Sequence, residues 1–513
     1  MKVLSCLLWP EQCARRRLAL FVLAFALTLG FAFQGARGLW EPNEGWYVPI
    51  AAAMYDGGGL LIPRLGGEPF LDKPPLNYWC MAAGMRLFGR NEFGARAYHA
   101  LCFAGTVLLA SLLASAFWGG REGLLAGLIY ATMLAPFAAA NVVTPDTPLA
   151  LWVTAAFYCF WRSLAADRGQ AWIWKMIFCA AMALGFLSKG PAVLVFAGAM
   201  FVYLAIQRRL AGFFVTPWAV PGFILFCAIV LPWYWAIGKK LPGGLAFMWE
   251  NQVTGRLITE HYSRHPEFLG AFEVYCPMLF AGTLPWSFSW PVMLWRARGT
   301  VFRWQFIKQR PVLLFLLCWT VFPLVVFSLA SSKLELYLLP AFPALALLTA
   351  RGLSRFVLKQ STGIPPCLLL ALGVCGVLLL GAKLGVAYLP NKKDSRAMWL
   401  AMKGHLPDGA APILAVDIDL NGVGFYCTNP VHTVERSEPK GLFYVEPKRF
   451  EEELKTAAHS ATAQAFVVAR DESRLPIRAK LRAEGVRFEE YPLPFQRALL
   501  VCRPATPPPR QAN

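Results

Sequence analysis

Apolar runs of roughly 18 to 24 residues recur along this chain from near its start to about residue 388, and then stop. Each is long enough to cross a hydrocarbon core of about 30 Å, where every backbone polar group needs an internal partner, so the runs are read as helices. They fall near residues 18–35, 96–118, 122–141, 146–165, 172–188, 190–207, 214–237, 275–295, 311–330, 335–352 and 365–388. Two long polar segments interrupt them: 36–95, rich in aromatic residues and with room for helices at the interface, and 238–274. Beyond 388 the pattern changes. Short apolar stretches at 412–418, 465–469 and 498–502 read as buried strands, with helical patterns near 393–404, 448–459 and 475–484 between them. The expected division is therefore a membrane domain over 1–388 and a small α/β domain over 389–513, ending in a proline-rich tail from Pro504 that is read as disordered.

Composition agrees. The 513 residues are 57% hydrophobic and only 15% charged, where a soluble chain carries roughly 25% charged residues. The net charge of +19 raises nucleic acid as a partner, but its distribution points elsewhere. With the N-terminus in the cytoplasm, the inner tail and loops are strongly basic (Arg15, Arg16 and Arg17 among them), with Glu11, Glu122 and Asp167 as their acidic residues. That asymmetry is the positive-inside pattern, and it places the C-terminal domain outside, in the periplasm of a bacterial inner membrane. No nucleic-acid partner is expected. Gly35-Ala36-Arg37-Gly38 is a poor match to a small-residue cleavage site, so the first run is read as a retained span. Of 13 cysteines, Cys427 and Cys502 are the two in the C-terminal domain, and a disulfide between them stays open.

Polar residues are costly near a bilayer, so their clusters carry the functional reading. The first is Trp40-Glu41-Pro42-Asn43-Glu44-Gly45-Trp46-Tyr47, where Glu44 falls in the first turn of a short helix through Asp56. The second holds Arg64 and then Asp72-Lys73-Pro74-Pro75-Leu76-Asn77-Tyr78-Trp79. Paired prolines fix an extended approach to the next helix and present Asp72 and Lys73 in a set orientation. The third is Val143-Thr144-Pro145-Asp146-Thr147-Pro148, where Asp146 can cap a helix and face a cavity at once. The fourth is dispersed: Arg256, His261 and their neighbours in 238–274, then Ser188-Lys189-Gly190 and Ser331-Ser332-Lys333-Leu334-Glu335. Any one of these cations alone is an ordinary solvated or snorkelling residue. Together they suit an anionic headgroup. The chain has no Walker-type loop, strand-bound GxGxxG, HExxH or nucleophile elbow, so ATP-driven transport has no support.

The succession WEPNEGWY, GGGLLIPRLGGEPFLDKPPLNYW, TPDTPL, SKGP and SSKLELYLLPAFPAL, with FMWENQVTGRLITEHYSRHPEF and GTLPW between, resembles the bacterial GT-C glycosyltransferases. It is most similar to the aminoarabinose–lipid A transferase family, related to the dolichyl-phosphate-mannose-protein mannosyltransferases. The resemblance implies a polytopic α-helical GT-C fold of about 11–13 transmembrane helices with a small periplasmic α/β domain. It further implies transfer of a sugar from a polyprenyl (undecaprenyl) phosphate donor at the periplasmic face, by direct displacement. The acceptor would be a lipid A-like lipid or another glycolipid, with a protein less favoured. Under it, Lys73 contacts the donor phosphate, with Arg256, Arg64 and Lys333 as further phosphate contacts. Glu44, Asp72, Asp146 and Asn43 form the catalytic set, and Glu41, Tyr47, Tyr78, His261 and Tyr337 line the substrate.

The chain departs from that family at one place. The usual Asp-Glu followed by an Arg before the Tyr is here Asn43-Glu44 and Trp46. Asn43 cannot act as a base, and Trp46 cannot bind phosphate by charge. A lipid-phosphate acceptor would need no base, whereas for a hydroxyl acceptor a base is worth roughly 10²–10⁴-fold and falls to Glu44, Glu41 or Asp72. A divalent metal ion at Glu44, Asp72 or His261 stays open, since no ligand spacing fixes one. Two rival functions remain: a polyprenyl-lipid transporter or flippase, and a catalytically silent lipid-binding scaffold. The sugar, the acceptor and the oligomeric state are not encoded in any motif.

Overall fold

A computed structural model of the protein describes residues 10–250, 267, 269–301, 303–358, 365–406, 412–427, 429–434, 452, 464–469 and 471–503. Each apolar run of the sequence carries a helix or a broken helix. In chain order the helices are α1 (Pro10–Phe31), α2 (Asn43–Tyr55), α3 (Leu76–Phe88), α4 (Glu92–Trp118), α5 (Gly120–Thr132), α6 (Leu134–Ala140), α7 (Asp146–Ala165), α8 (Arg168–Lys189) and α9 (Ala192–Ile206). They continue with α10 (Ala219–Lys240), α11 (Gly270–Gly282), α12 (Trp290–Val301), α13 (Pro311–Leu329), α14 (Phe342–Gly352), α15 (Pro366–Tyr388), α16 (Ser395–Met402) and α17 (Asp471–Ala483). Shorter turns at Leu210–Phe214, Gly244–Trp249 and Trp304–Lys308 join some of them.

Among the described residues, 6 helices are long and apolar enough to cross a membrane, or up to 7 with one bent pair. The bent pair is α5 with α6, turned by 62° where Met133 leaves the helical region at ψ 134°. The run expected at 275–295 is likewise broken, into α11, a 3-10 turn at Trp286–Ser289, and α12. Proline explains that break: Pro285 cannot donate to the preceding turn. Length and apolarity make this a multi-pass membrane protein.

The chain divides into two compact units. One comprises Met1–Gln34, Lys73–Asn77 and Arg96–Leu384; the other comprises Gly35–Asp72, Tyr78–Ala95 and Gly385–Asn513. This partition differs from a single boundary at 388, because most of the first polar segment clusters with the C-terminal residues.

The first unit is a helical bundle packed on aromatic rings. Phe157 of α7 stacks on Trp319 of α13 at 3.9 Å between centroids, and the Trp319 indole donates to Pro340 O at 2.9 Å. Satisfying that N–H is what allows a Trp to sit in an apolar core. Successive helices α7 and α8 pack along one another.

The second unit holds α2, a two-residue hairpin of β1 (Arg64–Leu65) and β2 (Glu68–Pro69), most of α3, and a five-stranded sheet. The sheet comprises β3 (Ile413–Val416), β4 (Val431–Val434), β5 (Gln464–Ala469), β6 (Arg487–Leu493) and β7 (Arg497–Arg503), in the order β4-β3-β5-β7-β6. Strands β3, β5 and β7 are the three expected from sequence, and β3 runs parallel to both β4 and β5. All four residues of β3 are buried, as a parallel strand covered on both faces requires. The C-terminal α/β domain is thus as expected, with α16 and α17 matching two of its three helical patterns. The third, 448–459, lies almost wholly outside the described residues.

The two units also divide the aromatic-rich first segment between them, since Lys73–Asn77 clusters with the bundle while its flanks do not.

Candidate active site

In the helical unit the double-proline motif and the end of α8 are joined. Asn77 Nδ2 donates to Ser188 O at 2.9 Å. Gly190 closes α8 at φ 70°, a left-handed position that suits glycine, and a Cβ there would stand 4.0 Å from Pro74 Cγ. The motif's Lys73 is buried, only 3% exposed. At the last residue of α8, Lys189 forms a buried ion pair with Asp146 in the first turn of α7. Its Nζ also lies 4.5 Å from the centroid of the Tyr337 ring. Lys333, just upstream of Tyr337, is buried to the same 3%.

Lysines are almost never fully buried without compensation. Here three of them, Lys73, Lys189 and Lys333, are buried in one unit, and two of the three are tied to shared elements. Asp146 accordingly holds a lysine, beyond beginning a helix. Thr147 fixes the same turn by donating to Ala139 O at 3.0 Å.

In the second unit Glu44 is fully buried and held on both carboxylate oxygens by Arg37, at 2.6 and 3.1 Å. It also accepts from Trp40 N at 2.8 Å. The Arg37 guanidinium lies over the Trp40 ring at 4.3 Å. Asn43 is exposed at the start of α2, and Trp46 packs near Phe70, centroid to centroid 6.2 Å. Asp72 is buried and accepts from Tyr47 Oη at 3.2 Å. Tyr78, also fully buried, lies 6.0 Å from the Tyr47 ring, and its hydroxyl has no hydrogen-bond partner among the described residues. Arg64 is exposed on its hairpin and donates to Gly67 O at 2.8 Å.

Glu41 is a strongly perturbed carboxyl outside the membrane-spanning segments. Its Oε1 accepts from Ser395 Oγ at 2.9 Å and from Gly422 N at 2.7 Å, while Oε2 is buried with no partner among the described residues. Burial pushes the group up to about 8, against the two hydrogen bonds; Asp419 raises it further and Arg497 lowers it. Backbone bonds reinforce the same junction, with Glu41 N donating to Lys393 O and Ser395 N to Leu39 O, each at 2.9 Å. Arg396 pairs with Glu92 at 2.6 Å and donates to the carbonyls of Ala36 and Gly35.

Of the residues expected from sequence, the structure groups Lys73, Asp146, Tyr337 and Lys333 in the helical unit. It groups Glu41, Asn43, Glu44, Tyr47, Arg64, Asp72 and Tyr78 in the other. Arg256 and His261 lie outside the described residues. Among the described residues no three His, Cys, Asp or Glu side chains gather as a metal-ligand set. Cys427 and Cys502 are both free thiols. Lys189 and Asn77 stand in the quoted motifs without a role of their own, and their partners Asp146 and Ser188 come from the structure, as does the pairing of Arg37 with Glu44.

The family of dolichyl-phosphate-mannose-protein mannosyltransferases matches residues 72–235. The undecaprenyl phosphate-alpha-4-amino-4-deoxy-L-arabinose arabinosyl transferase of Pseudomonas savastanoi pv. phaseolicola is 33% identical over 346 residues, covering 66% of this chain and 60% of that protein. An enzyme of the same name from Sodalis glossinidius is 32% identical over 357 residues, covering 66% and 59%. The chain thus spans about 60% of the length of the curated relatives it matches. The crystal structure of ArnT from Cupriavidus metallidurans bound to undecaprenyl phosphate superposes with a TM-score of 0.75 at 20% identity, covering 94% of this chain and 97% of that one. The fold is that of the GT-C glycosyltransferases. The archaeal oligosaccharyltransferase AglB from Archaeoglobus fulgidus shares it more distantly, with a TM-score of 0.51, 14% identity, and coverage of 82% and 64%. The resemblance read from the motifs therefore holds, and the GT-C fold expected from it is the fold observed.

Proposed function

We propose that this GT-C chain transfers a sugar from an undecaprenyl-phosphate-type donor to a lipid A-like or other lipid acceptor, by direct displacement. The reaction would take place at the periplasmic face of the bacterial inner membrane. The basic tail and loops support a cytoplasmic N-terminus, and with it a periplasmic C-terminal domain. The names of the arabinosyl transferase relatives support the donor class.

The observation that carries the reading is the set of buried lysines in the helical unit. A polyprenyl phosphate leaves as an anion, so ammonium groups placed to meet it stabilise the transition state where charge develops, and no general acid is required. Lys73 is assigned the donor phosphate, with Lys333 and Arg256 as further contacts. Lys189, held by Asp146, supplies a positioned cation against Tyr337.

The carboxylates then divide by their partners. Glu44, gripped by Arg37, orders the first loop. Asp72, the residue before Lys73, is the base if the acceptor is a hydroxyl. If the acceptor is a lipid phosphate, its oxygen is already an anionic nucleophile, and exposed Asn43 costs the reaction nothing.

The test is transfer of radiolabelled sugar from a panel of undecaprenyl-phosphate sugars in membranes expressing wild type or Lys73→Ala. Product that depends on Lys73 is expected, and its mobility identifies the acceptor class. No transfer from any donor by folded, inserted protein would refute the reading and favour lipid transport or a binding scaffold.

A further inference from the structure

The turn that carries Asp146 has few anchors of its own. Residues 141–145, between α6 and α7, are not helical. Pro145 stands at the N-cap of α7 without a side-chain hydrogen bond, and Pro148 in the first turn has no N–H to give. The Asp146 carboxylate is itself taken by Lys189. What aims that carboxylate must therefore come largely from outside the turn.

Three side chains hold the segment through its carbonyls. Besides Thr147 on Ala139 O, Gln34 Nε2 donates to Ala140 O at 3.0 Å, and Gln34 O accepts from Arg96 Nη1 at 2.9 Å. His99 Nε2 lies 2.9 Å from Thr144 O, two residues before Asp146. A carbonyl only accepts, so this bond requires the proton on Nε2. Gln34, Arg96, His99 and Thr144 are all buried. The Thr144 hydroxyl has no hydrogen-bond partner among the described residues, so its carbonyl is the point at which that residue is held.

His99 and Arg96 both stand on α4, a helix long and apolar enough to cross a membrane. An ionisable side chain there is costly and marks a function by default. α4 lies directly against α7: a Cβ at Gly105 would meet Leu151 Cδ1 at 2.9 Å. The bare glycine lets the two helices approach, which fixes the distance from the α4 donors to the start of α7. All of these residues belong to the helical unit.

We propose that His99 is a positioning residue for the Asp146–Lys189 pair, holding the Thr144 carbonyl so that the carboxylate meets the ammonium from a fixed turn. The role rests on the transfer reaction proposed above. His99 touches neither the donor nor the reacting atoms; it acts through Thr144 on Asp146, and Asp146 on Lys189. Loss of the Nε2 donor releases the turn, and a displacement of about 1 Å in such a group costs up to about 10²-fold in rate.

Steady-state transfer by the detergent-solubilised full chain tests it, with the undecaprenyl-phosphate sugar that wild type uses and kcat expressed per folded molecule. His99→Phe keeps a ring and removes the donor; kcat is expected to fall about tenfold or more, with the donor KM within about twofold. His99→Gln offers an N–H near the place of Nε2 and is expected to recover kcat to within about threefold of wild type. In an Asp146→Asn background His99→Phe is expected to cost nothing further, because its effect passes through that carboxylate. Should His99→Phe not fold, His99→Asn, whose amide stops short of Thr144 O, gives the same comparison. A lowered thermal midpoint with unchanged kcat per folded molecule overturns the inference, as do additive losses in the double variant or no recovery by His99→Gln. Wild type without transfer from any donor refutes the proposed reaction and this role with it; active wild type with an unimpaired His99→Phe refutes the role alone.

Discussion

Replacing Glu41 by glutamine isolates one proton. Burial raises this carboxyl from 4.5 to about 8, so between those values the folded protein holds a proton that the unfolded chain has released. The folded form binds more protons there, and stability must fall as pH rises through that window. The slope is about 1.4 kcal/mol per pH unit, and the whole window amounts to about 5 kcal/mol as an upper figure. Glutamine does not titrate and resembles the protonated acid, keeping an oxygen for Ser395 and Gly422. Its amide N–H groups replace the Oε2 atom that has no partner, which costs about 1–3 kcal/mol at every pH. The two profiles should therefore cross. Wild type is the more stable near pH 5, and Glu41→Gln is the more stable by about 2–4 kcal/mol above pH 8. Thermal midpoints of the detergent-solubilised chain between pH 5 and 9 report this, at about 2 °C per kcal/mol. Asp419 is also raised by burial and acts on Glu41 through its charge, so the difference between the profiles reports Glu41 together with its effect on Asp419. Parallel profiles would refute the argument. A variant less stable at every pH, by a constant amount, would show Glu41 to be an ionised acceptor for Gly422 and Ser395.

Four further outcomes are expected. Lys189→Ala and Asp146→Asn should each reduce transfer about 10²-fold or more, and Asp146→Asn should also lower the thermal midpoint, because it leaves a buried ammonium without its carboxylate; activity near wild type in both would remove Lys189 from the site. Arg37→Ala and Glu44→Gln should each destabilise by about 3–5 kcal/mol, while the double variant costs far less than their sum; additive losses in denaturant titration would contradict a mutual grip, and unchanged turnover by Glu44→Gln would end any acidic role in the reaction. Asn77→Leu should cut transfer about tenfold or more by releasing the Lys73 turn from Ser188, measured in the same radiolabel assay; wild-type rates would show that the turn is held by its prolines alone. Since Cys427 and Cys502 are both free thiols, reductant should leave the unfolding midpoint unchanged, and a fall of several degrees on reduction would contradict the structure.

The spans were legible because hydrophobic length is a direct physical demand of the bilayer, and every apolar run carries helix. The breaks were not: a run of apolar residues does not say that Met133 leaves the helix or that a 3-10 turn follows Pro285. Strands β3, β5 and β7 announced themselves by continuous burial. β6 did not, because Arg487, Glu489 and Glu490 make it a polar edge strand exposed along much of its length, and β4 is only four residues with His432 and Thr433 in its middle. Lys73 and Asp146 stood out in motifs. Lys189 stood in a motif as well, but its pairing with Asp146 did not show, because it comes from topology: α8 runs back along α7, so the end of the second helix returns to the start of the first. That pairing lies between residues 43 positions apart and has no local signature.

The first loop shows why the departure at Asn43 and Trp46 weakens the motif without emptying the site. The arginine that the resembled pattern places before the tyrosine is a tryptophan here, and that ring packs against Phe70. Yet Glu44 is not left alone in a dry environment, because Arg37 reaches it from the other side of the Trp40 turn. A buried carboxylate without a cation would be protonated or would unfold its loop. The charge complement of the loop is therefore retained while its placement is changed, from a helix position to the segment that leads into the helix. The Arg37 guanidinium is committed to Glu44, and the proposed reaction assigns the anion to the buried lysines of the helical unit. Loss of transfer in Lys73→Ala together with retained, if slower, transfer in Arg37→Lys would be the pattern that this redistribution requires.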